Sequence, residues 1–360
     1  MKIVFLVSSL NAGGAERVAC TLVNAWVEKG HQVTLIPCFT QGSGQSFYPL
    51  DERVKVRWLS EYLPQNKWFA RLSKPRILRA LMREEQADVM VSFLTNVNVV
   101  SLLAARGLGI PLIVGERTDP ANQRISSSLK FLRKALYSQA SAVLVQTQRA
   151  TEYFKSWSLR KLRVIPNPLP ANLIFQAPNA LAPSVVLAMG RLVPTKQFDR
   201  LIENFSQIAA AYPDWQLHIY GDGPEREKLQ QLIVEKGLVS RILLKGKTDK
   251  PWEVMRQARV FAMSSRLEGF PNVMLEAMAS GLPVVCYDCP SGPSELSLDG
   301  KVAKLVPLDH EQFFQQQLRS LMQNELERAQ LAQQGQESVF ERYSQPQVLQ
   351  QWDELLKEVQ

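Results

Sequence analysis

Short apolar runs recur along the chain and alternate with longer segments in which apolar positions repeat every three to four residues. Short apolar runs are typical of buried strands, whereas the longer spacing is typical of amphipathic helices. In the first half, the strand-like runs occupy residues 2–7, 31–37, 89–93, 112–115 and 142–146. This alternation predicts a doubly wound α/β domain, with a parallel sheet covered by helices on both faces.

The same alternation begins again in the second half of the chain. Its strand-like runs occupy residues 185–188, 215–220, 242–244, 260–263, 284–287 and 303–306. A stretch rich in Pro, Ala and Asn at residues 166–183 predicts a linker, and a helical pattern at residues 345–359 follows a Gln-rich helical region. We therefore predict one domain at residues 1–170, a second at residues 171–340 and a C-terminal helix at residues 341–360.

Composition places the chain among ordinary globular proteins, with 46% hydrophobic and 21% charged residues in a length of 360. The net charge of +8 is unevenly divided, because residues 1–170 carry 23 Lys and Arg against 11 Asp and Glu, a net +12, which leaves −4 for the rest. Residues 66–83 and 128–137 mix basic with apolar positions. Such segments predict helices that lie on an anionic membrane surface, or alternatively a solvated basic face over ordinary core contacts.

Other classes of partner and location are disfavoured. No base-stacking motif accompanies the positive charge, so we do not expect nucleic-acid binding. No apolar run approaches the roughly 18 residues needed to cross a bilayer. Four cysteines in a chain of this length agree with a reducing cytoplasm. We therefore expect a cytoplasmic protein that is peripheral on the inner face of the cytoplasmic membrane.

The segment from Glu268 to Glu276 holds the best clue to chemistry, because two carboxylates there are separated by seven residues. Asn272 is a predicted N-cap for a helix at residues 273–279. The first N–H groups of such a helix have no intrahelical partner and carry the positive end of the dipole, so they suit a diphosphate. The carboxylates can accept hydrogen bonds from sugar and ribose hydroxyls. The alternative is an unrelated pair of surface carboxylates.

Two further loops carry candidate phosphate chemistry. Arg191 and Lys196 follow the strand-like run at residues 185–189, and a guanidinium fork with an ammonium is suited to stabilising a departing diphosphate. The loop after the first strand contains Gly13 and Gly14 and leads into a helical pattern. It lacks the Gly-x-Gly-x-x-Gly spacing, and the chain has no complete P-loop, so a dinucleotide oxidoreductase and a P-loop NTPase are both disfavoured.

Together, these segments resemble the retaining glycosyltransferases of the two-domain GT-B fold, specifically family 4 with its Glu-x7-Glu signature. The resemblance covers nearly the whole chain and includes residues 165–168, 220–224 and 281–285. Residues 11–17 look like those of bacterial enzymes that build lipid-linked oligosaccharides and surface polysaccharides, including N-acetylgalactosamine transferases. The resemblance implies two Rossmann-like domains that face a central cleft, with the acceptor in the first, the nucleotide sugar in the second, and a final helix that crosses back to the first.

The resemblance also implies a role for each candidate residue. Arg191 and Lys196 would neutralise the donor diphosphate, Glu268 would contact the donor sugar and Glu276 would bind the ribose. Backbone groups would complete the donor site at Gly13, Gly14, Gly190, Phe270, Asn272 and Val273. Glu16 is assigned to the N-terminal loop that approaches the donor or the acceptor.

The chain departs from the family at Arg117, where many members carry a histidine. The three histidines of this chain lie elsewhere, so a histidine general base has no support. We expect Arg117 to contact a donor or acceptor phosphate, with Glu116 or Asp119 orienting the guanidinium. The alternative is a buried structural ion pair.

The resemblance gives the expected reaction, which is retaining transfer of a hexose or N-acetylhexosamine from a UDP-sugar to a polyprenyl-diphosphate-linked saccharide. No two aspartates stand two positions apart, so the Asp-x-Asp metal motif of other glycosyltransferases is missing, and we expect turnover without a metal or other cofactor. Two alternatives remain. One is an enzyme of the same fold with a soluble acceptor, as in sucrose or glycogen synthesis, and the other is a non-catalytic scaffold.

Overall fold

The computed structural model describes residues 1–11, 13–39, 45–170, 173, 175 and 182–360. These residues divide into two compact units. The first contains Met1–Pro168 together with Pro346–Gln360, and the second contains Leu169–Gln345. Each unit is built around one parallel sheet, which confirms the predicted α/β class with two Rossmann-like sheets. Half of the predicted linker at residues 166–183 lies outside the described residues.

The first unit alternates strands and helices along most of its length. Its elements are β1 (Lys2–Val7), α1 (Gly14–Glu28), β2 (Gln32–Pro37), β3 (Lys55–Val56), α2 (Lys67–Glu85), β4 (Val89–Phe93), α3 (Thr95–Ala105), β5 (Leu112–Gly115), α4 (Ser127–Leu136), β6 (Ala142–Val145), α5 (Gln148–Thr151) and β7 (Leu162–Val164). The strands form one sheet in the order β3-β2-β1-β4-β5-β6-β7. The strand order therefore reverses between β1 and β4, and ligands of such sheets bind at the carboxyl ends of the strands beside that reversal.

Side chains of β1 alternate between two cores, one on each face of the sheet. Ile3 and Phe5 belong to the core formed with α1, whereas Val4 and Leu6 belong to the core formed with α2, α3 and α4. Ile3 is in register with Val33 of β2 and with Val89 of β4, both in parallel pairs. Burial on both faces explains the nearly continuous apolar runs from which the strands were predicted.

The second unit repeats this plan. Its elements are β8 (Val185–Met189), α6 (Phe198–Ser206), β9 (Gln216–Tyr220), α7 (Arg226–Glu235), β10 (Ile242–Gly246), α8 (Pro251–Met255), β11 (Val260–Met263), α9 (Asn272–Ala279), β12 (Val284–Tyr287), α10 (Pro293–Leu296), β13 (Lys304–Val306), α11 (Glu311–Gln323) and α12 (Glu325–Tyr343). The sheet order is β10-β9-β8-β11-β12-β13, so this order reverses between β8 and β11. Val186 of β8 is in register with Leu217 of β9 and Val260 of β11.

The structure departs from the predicted elements in a few places. Strands β3 and β7 were not predicted, because they contain only two and three residues at the sheet edges and carry little apolar pattern. Helix α6 ends at Ser206, and a 3₁₀ turn follows at Ala209–Ala211. Tyr212 leaves the helical region immediately before Pro213, as the residue preceding a proline tends to do.

The final helix, α13 (Gln345–Val359), packs on the first sheet beside α1. Its Trp352 is fully buried, and its ring centroid lies 5.6 Å from that of Trp26 and 6.1 Å from that of Phe93. Lys29, which caps the C-terminal end of α1, also forms an ion pair with Asp353. A large aromatic side chain therefore anchors the C-terminal helix in the core of the first unit.

Helices α2 and α4 both pack against α3, on one face of the first sheet. Trp68, Phe69 and Leu72 are exposed near the beginning of α2, and Phe131 is exposed in the first half of α4. The expectation that Arg133 contributes to a basic surface is wrong, because this side chain is buried inside the first unit. None of the helices in the described part of the chain has both the length and the apolar content of a bilayer-crossing segment.

Replacement of Trp352 by alanine should lower the free energy of unfolding by about 3–5 kcal/mol, because it leaves a cavity where two aromatic rings now pack. Urea unfolding followed by circular dichroism measures this loss. Trp68→Ala is the matched control, since the Trp68 side chain is 66% exposed and its removal should change stability by less than about 0.5 kcal/mol. Equal effects of the two substitutions would contradict the assigned packing of α13.

Candidate active site

The loop after β8 is supported by close backbone contacts with the loop after β9. Gly190 N–H donates to the Tyr220 carbonyl at 2.9 Å, and Leu192 N–H donates to the Asp222 carbonyl at 3.0 Å. A Cβ atom on Gly221 would lie 1.8 Å from the Gly190 carbonyl oxygen, and Gly221 has a φ of 141°. The absence of a side chain at position 221 is therefore required for this approach.

Lys196 and Glu268 form an ion pair at the reversal of the second sheet. Lys196 follows β8 and Glu268 follows β11, and Lys196 Nζ donates to Glu268 Oε1 at 2.5 Å. Ser264 Oγ donates to the Lys196 carbonyl, and Arg266 N–H donates to the Thr195 carbonyl, each at 2.9 Å. Two loops that leave neighbouring strands are thereby joined where ligands of open α/β sheets bind.

The other predicted donor cation, Arg191, lies in the same loop and is exposed. Lys196 closes a 3₁₀ turn, Pro194–Lys196, five positions further along the chain. One ammonium proton is directed at Glu268, and within the described ranges no second acceptor contacts this group, so its other two donors can bind a phosphate. The loop therefore offers a positioned ammonium and a solvent-accessible guanidinium.

Helix α9 begins at Asn272, so the prediction that Asn272 is its N-cap is wrong by one residue. Pro271 occupies the cap position and its side chain accepts no hydrogen bond, while the Asn272 N–H donates to the Phe270 carbonyl at 2.9 Å. Proline fits this position because its ring fixes φ near the helical value. The Phe270 side chain is buried and its ring contacts that of Tyr343, with centroids 5.8 Å apart.

Glu276 is buried in α9 and shares a helix face with Asn272, four residues earlier. The segment before the helix is fixed by the loop after β12. Ser291 Oγ donates to the Gly269 carbonyl at 2.8 Å, and a Cβ on Gly292 would lie 2.2 Å from Pro271 Cδ. The segment that precedes α9 and the loop that carries Lys196 are thus held by Ser291 and Ser264, which the sequence did not single out.

In the first unit, Glu16 organises the loop after β1. Its Oε1 accepts hydrogen bonds from Ser8 Oγ and Ser9 Oγ, both at 2.9 Å, and its carboxylate lies where a Cβ on Gly13 would be. Gly14 is the first residue of α1, and a carboxylate in the first helical turn is stabilised by the dipole. Glu16, which was assigned to the N-terminal loop that approaches the donor or the acceptor, holds that loop through Ser8 and Ser9, two partners that the sequence did not reveal.

Arg117 follows β5 and is buried without a carboxylate partner among the residues that the structure describes. Its Nη1 donates to Asn167 Oδ1 at 3.0 Å, and its Cζ lies 3.5 Å from the centroid of the Phe93 ring. Its Nε and Nη2 have no hydrogen-bond acceptor in the described ranges. Burial lowers the pKa of the guanidinium to about 9. An unpaired buried ion costs several kcal/mol, so this arrangement needs an explanation.

The predictions that Glu116 or Asp119 orients Arg117, and that Arg117 forms a structural ion pair, are both wrong. Glu116 accepts hydrogen bonds from Thr95 Oγ1 at 2.7 Å and from the Tyr137 hydroxyl at 2.5 Å. Asp119 instead accepts from the N–H of Ala121 in its own turn, at 3.0 Å. Glu116 and Arg117 follow β5 directly, and their side chains have different partners.

Glu116 is the centre of a separate buried network. Arg133 Nη1 lies 3.8 Å from Glu116 Oε1, and Asn98 Nδ2 donates to the Tyr137 hydroxyl at 3.0 Å. Burial raises the pKa of Glu116, and burial together with the adjacent Glu116 raises the pKa of Tyr137 well above its ordinary value. This network fixes α3 and α4 beside the strand that precedes Arg117.

The comparisons with known sequences match both halves of the chain. Residues 13–168 match the family described as "Glycosyl transferase 4-like domain", and residues 172–338 match "Glycosyl transferases group 1". The amylovoran biosynthesis glycosyltransferase of Erwinia amylovora is 28% identical over 99% of each chain. A Campylobacter jejuni α-1,4-N-acetyl-D-galactosaminyltransferase, named for a diphosphoundecaprenol-linked substrate, is 27% identical over 90% of each chain.

Solved structures support the same architecture. HepE of Anabaena, determined in complex with UDP, is 22% identical and superposes with a TM-score of 0.84 over 99% of this chain and 100% of that one. Sucrose-phosphate synthase of Thermosynechococcus elongatus is 19% identical and superposes with a TM-score of 0.85 over 100% and 99%. At these identities the superpositions establish the fold.

Replacement of Gly221 by alanine should displace the Gly190 backbone and cost about 1–3 kcal/mol more stability than replacement of Gly237 by alanine. Gly237 is the matched control, because its φ of 67° is also unfavourable for alanine but a Cβ there has no neighbour within 4 Å. Chemical denaturation of the two variants measures the difference. Equal losses would show that the contact between the two glycine loops is not needed.

Proposed function

The chain belongs to the family 4 glycosyltransferases of the GT-B fold, and from this premise we propose that it transfers a hexose or an N-acetylhexosamine from a UDP-sugar to a polyprenyl-diphosphate-linked saccharide. Two kinds of relative support the proposal. One is named for polysaccharide biosynthesis and the other for a lipid-linked acceptor. HepE, which shares the fold, binds UDP in its crystal structure.

The observation that carries the proposal is the ion pair between Lys196 and Glu268. The ammonium is held by one hydrogen bond to Glu268 Oε1, which leaves donors for the β-phosphate of the nucleotide and leaves Glu268 Oε2 for a sugar hydroxyl. Arg191 adds a second positive charge from the same loop. A positioned cation lowers the barrier because negative charge accumulates on the departing diphosphate.

The N-terminus of α9 supplies the remaining donor contacts in this proposal. Peptide N–H groups at Phe270, Asn272 and Val273 bind the diphosphate, and Glu276 accepts hydrogen bonds from the ribose. The Asn272 N–H is bonded to the Phe270 carbonyl in the present structure, so its contribution requires that bond to open. The remaining contacts come from glycines, whose lack of a side chain lets backbone groups approach the substrates closely. These are Gly13, Gly14 and Gly190.

Transfer proceeds with retention in this proposal. The bond between the anomeric carbon and the UDP oxygen breaks, and the bond from the acceptor oxygen forms on the same face of an oxocarbenium-like sugar. The acceptor proton passes to the leaving diphosphate, so no covalent enzyme intermediate is needed. The cations offset the charge of the leaving group, and the reaction is proposed to run without a divalent metal.

The acceptor is assigned to a membrane surface on the basis of the first unit. Residues 1–170 carry a net charge of +12, and Trp68, Phe69 and Leu72 are exposed at the beginning of α2. Helices of a doubly wound sheet run antiparallel to the strands, so the beginning of α2 lies at the carboxyl edge of the sheet, where ligands bind. We propose that this aromatic end of α2 rests on an anionic membrane and brings the lipid-linked acceptor close to that edge.

The variant Lys196→Met should lower kcat/KM at least about 100-fold in a transfer assay, because the leaving group loses its positioned cation. The assay uses UDP-N-acetylgalactosamine and other UDP-sugars with polyprenyl-diphosphate-linked saccharides. Lys236→Met, at an exposed position at the end of α7, is the matched control and should be unaffected. Proton NMR of the product should give the anomeric configuration of the donor.

Three results would contradict parts of this function. Activity of Lys196→Met equal to that of the wild type would favour the scaffold alternative. An inverted product would exclude the retaining mechanism. Equal rates with a soluble sugar acceptor and no lipid would favour the soluble-acceptor alternative.

Simultaneous replacement of Trp68, Phe69 and Leu72 by serine should weaken binding to vesicles that contain anionic phospholipid by at least about tenfold, because apolar side chains no longer enter the interface. Vesicle co-sedimentation measures this affinity. The matched control replaces three exposed apolar residues of the second unit, Val234, Val239 and Leu326. Undiminished binding of the α2 variant, or an equal loss in the control, would exclude α2 as the membrane contact.

A further inference from the structure

Arg117 differs from two other arginines of the first unit in having no compensating charge. Arg133, which is also buried, lies near Glu116, and Arg57, which is partly buried, forms ion pairs with Glu84 and Glu85. Only 8% of Arg117 is exposed, and no carboxylate within the described residues pairs with it. Proteins normally pair buried charges, so an unpaired one marks a place where a partner is supplied from outside the chain.

The surroundings leave one edge of the guanidinium unused. One planar face lies over the Phe93 ring, and Nη1 donates to Asn167 Oδ1. Nε and Nη2 share the other edge, and neither has an acceptor in the part of the chain that the structure describes. These two groups form the parallel fork that binds two oxygens of a phosphate or carboxylate.

The local fold is built to hold the guanidinium in this position. Gly115 precedes the pair Glu116 and Arg117, and a Cβ on Gly115 would lie 2.8 Å from Phe93 Cδ1. Only glycine therefore allows the Phe93 ring to lie under the guanidinium. Leu94, next to Phe93, has a φ of 78°, an unfavourable conformation for a branched side chain and one that tends to occur at functional sites.

Nearby carboxylates are engaged elsewhere and cannot neutralise Arg117 without breaking other contacts. Glu116 is held by Thr95, Tyr137 and Arg133, and Asp119 is held by its own turn. Arg117 also follows β5, next to β4 and the reversal of strand order, on the edge of the sheet where ligands bind.

We propose that Arg117 is a binding residue for a substrate phosphate, whose oxygens accept side-on hydrogen bonds from Nε and Nη2. The inference rests on the proposed function, which supplies two sources of the same chemistry, the diphosphate of the lipid-linked acceptor and the diphosphate of the nucleotide sugar. The oxyanion compensates a charge that the chain itself leaves unpaired. In the substrate-free protein this charge opposes folding, so its removal should not reduce stability.

The test is calorimetric titration of the wild type and of Arg117→Met with three probes, namely inorganic pyrophosphate, UDP and farnesyl diphosphate. The substitution should weaken binding of at least one probe by about 30-fold or more, the usual effect of removing one partner of a buried charged pair. Loss for farnesyl diphosphate alone identifies the acceptor as the source, and loss for UDP alone identifies the donor. Arg124→Met, at an exposed position seven residues further on, is the matched control and should bind all probes as the wild type does.

Two further measurements keep a structural role distinguishable from binding. The melting temperature of Arg117→Met without ligand should equal or exceed that of the wild type, and Arg117→Lys, which keeps the charge but loses the fork, should recover only part of the affinity. Unchanged affinity for all three probes in Arg117→Met, or failure of the wild type to bind any of them, would overturn the inference. If the affinities of Arg117→Met are unchanged but the wild type binds UDP and transfers sugar, the inference about Arg117 is wrong and the proposed function is still supported.

Discussion

The Lys196–Glu268 ion pair joins two loops that leave neighbouring strands of the second sheet in opposite directions. The connections after β8 and β11 diverge at this point and leave a crevice, which one backbone hydrogen bond spans, from the Arg266 N–H to the Thr195 carbonyl. The ion pair, together with the hydrogen bond from Ser264 to the Lys196 carbonyl, fixes the width of that crevice. The position of the candidate donor cations depends on this contact between residues 72 positions apart in sequence.

The two units differ in whether a buried charge has an oppositely charged partner among the described residues. In the second unit the buried Glu268 is compensated by Lys196, which retains free donors, so the site is electrostatically balanced before any ligand arrives. In the first unit the Arg117 guanidinium has aromatic and amide contacts but no counter-charge among the described residues. Desolvation makes an uncompensated charge costly to bury, and the same desolvation strengthens its attraction for an oxyanion.

Much of the fold follows directly from the apolar pattern of the chain. The long central strands are buried on both faces, so their runs of Val, Ile and Leu are continuous and predict their positions well. The edge strands β3 and β7 are too short to produce such a signal. The start of α9 is predicted one residue too late, because Asn272 is a good N-cap in general, whereas Pro271 occupies the N-cap position here.

The site was less predictable, because its contacts are long-range. The motif pattern identified Lys196 and Glu268 as separate candidates, but only the strand order brings their side chains together. For Arg117, the sequence pointed to the nearby carboxylates Glu116 and Asp119, but both are bonded to other groups. Its actual partner, Asn167, is 50 positions away and lies in a segment that had been named only as part of the family resemblance.

Thermal unfolding of the purified protein with UDP, GDP, ADP and CMP, each in the presence of EDTA, tests most directly that the second unit contains a metal-independent UDP site. A ligand at 100 times its dissociation constant adds about 2.7 kcal/mol of stability, which is readily measured as a rise in melting temperature. We expect a rise with UDP that exceeds the rise with the other nucleotides and that is lost in Arg191→Ala. No rise with UDP, or one that appears only when a divalent metal replaces EDTA, would contradict a metal-independent UDP site.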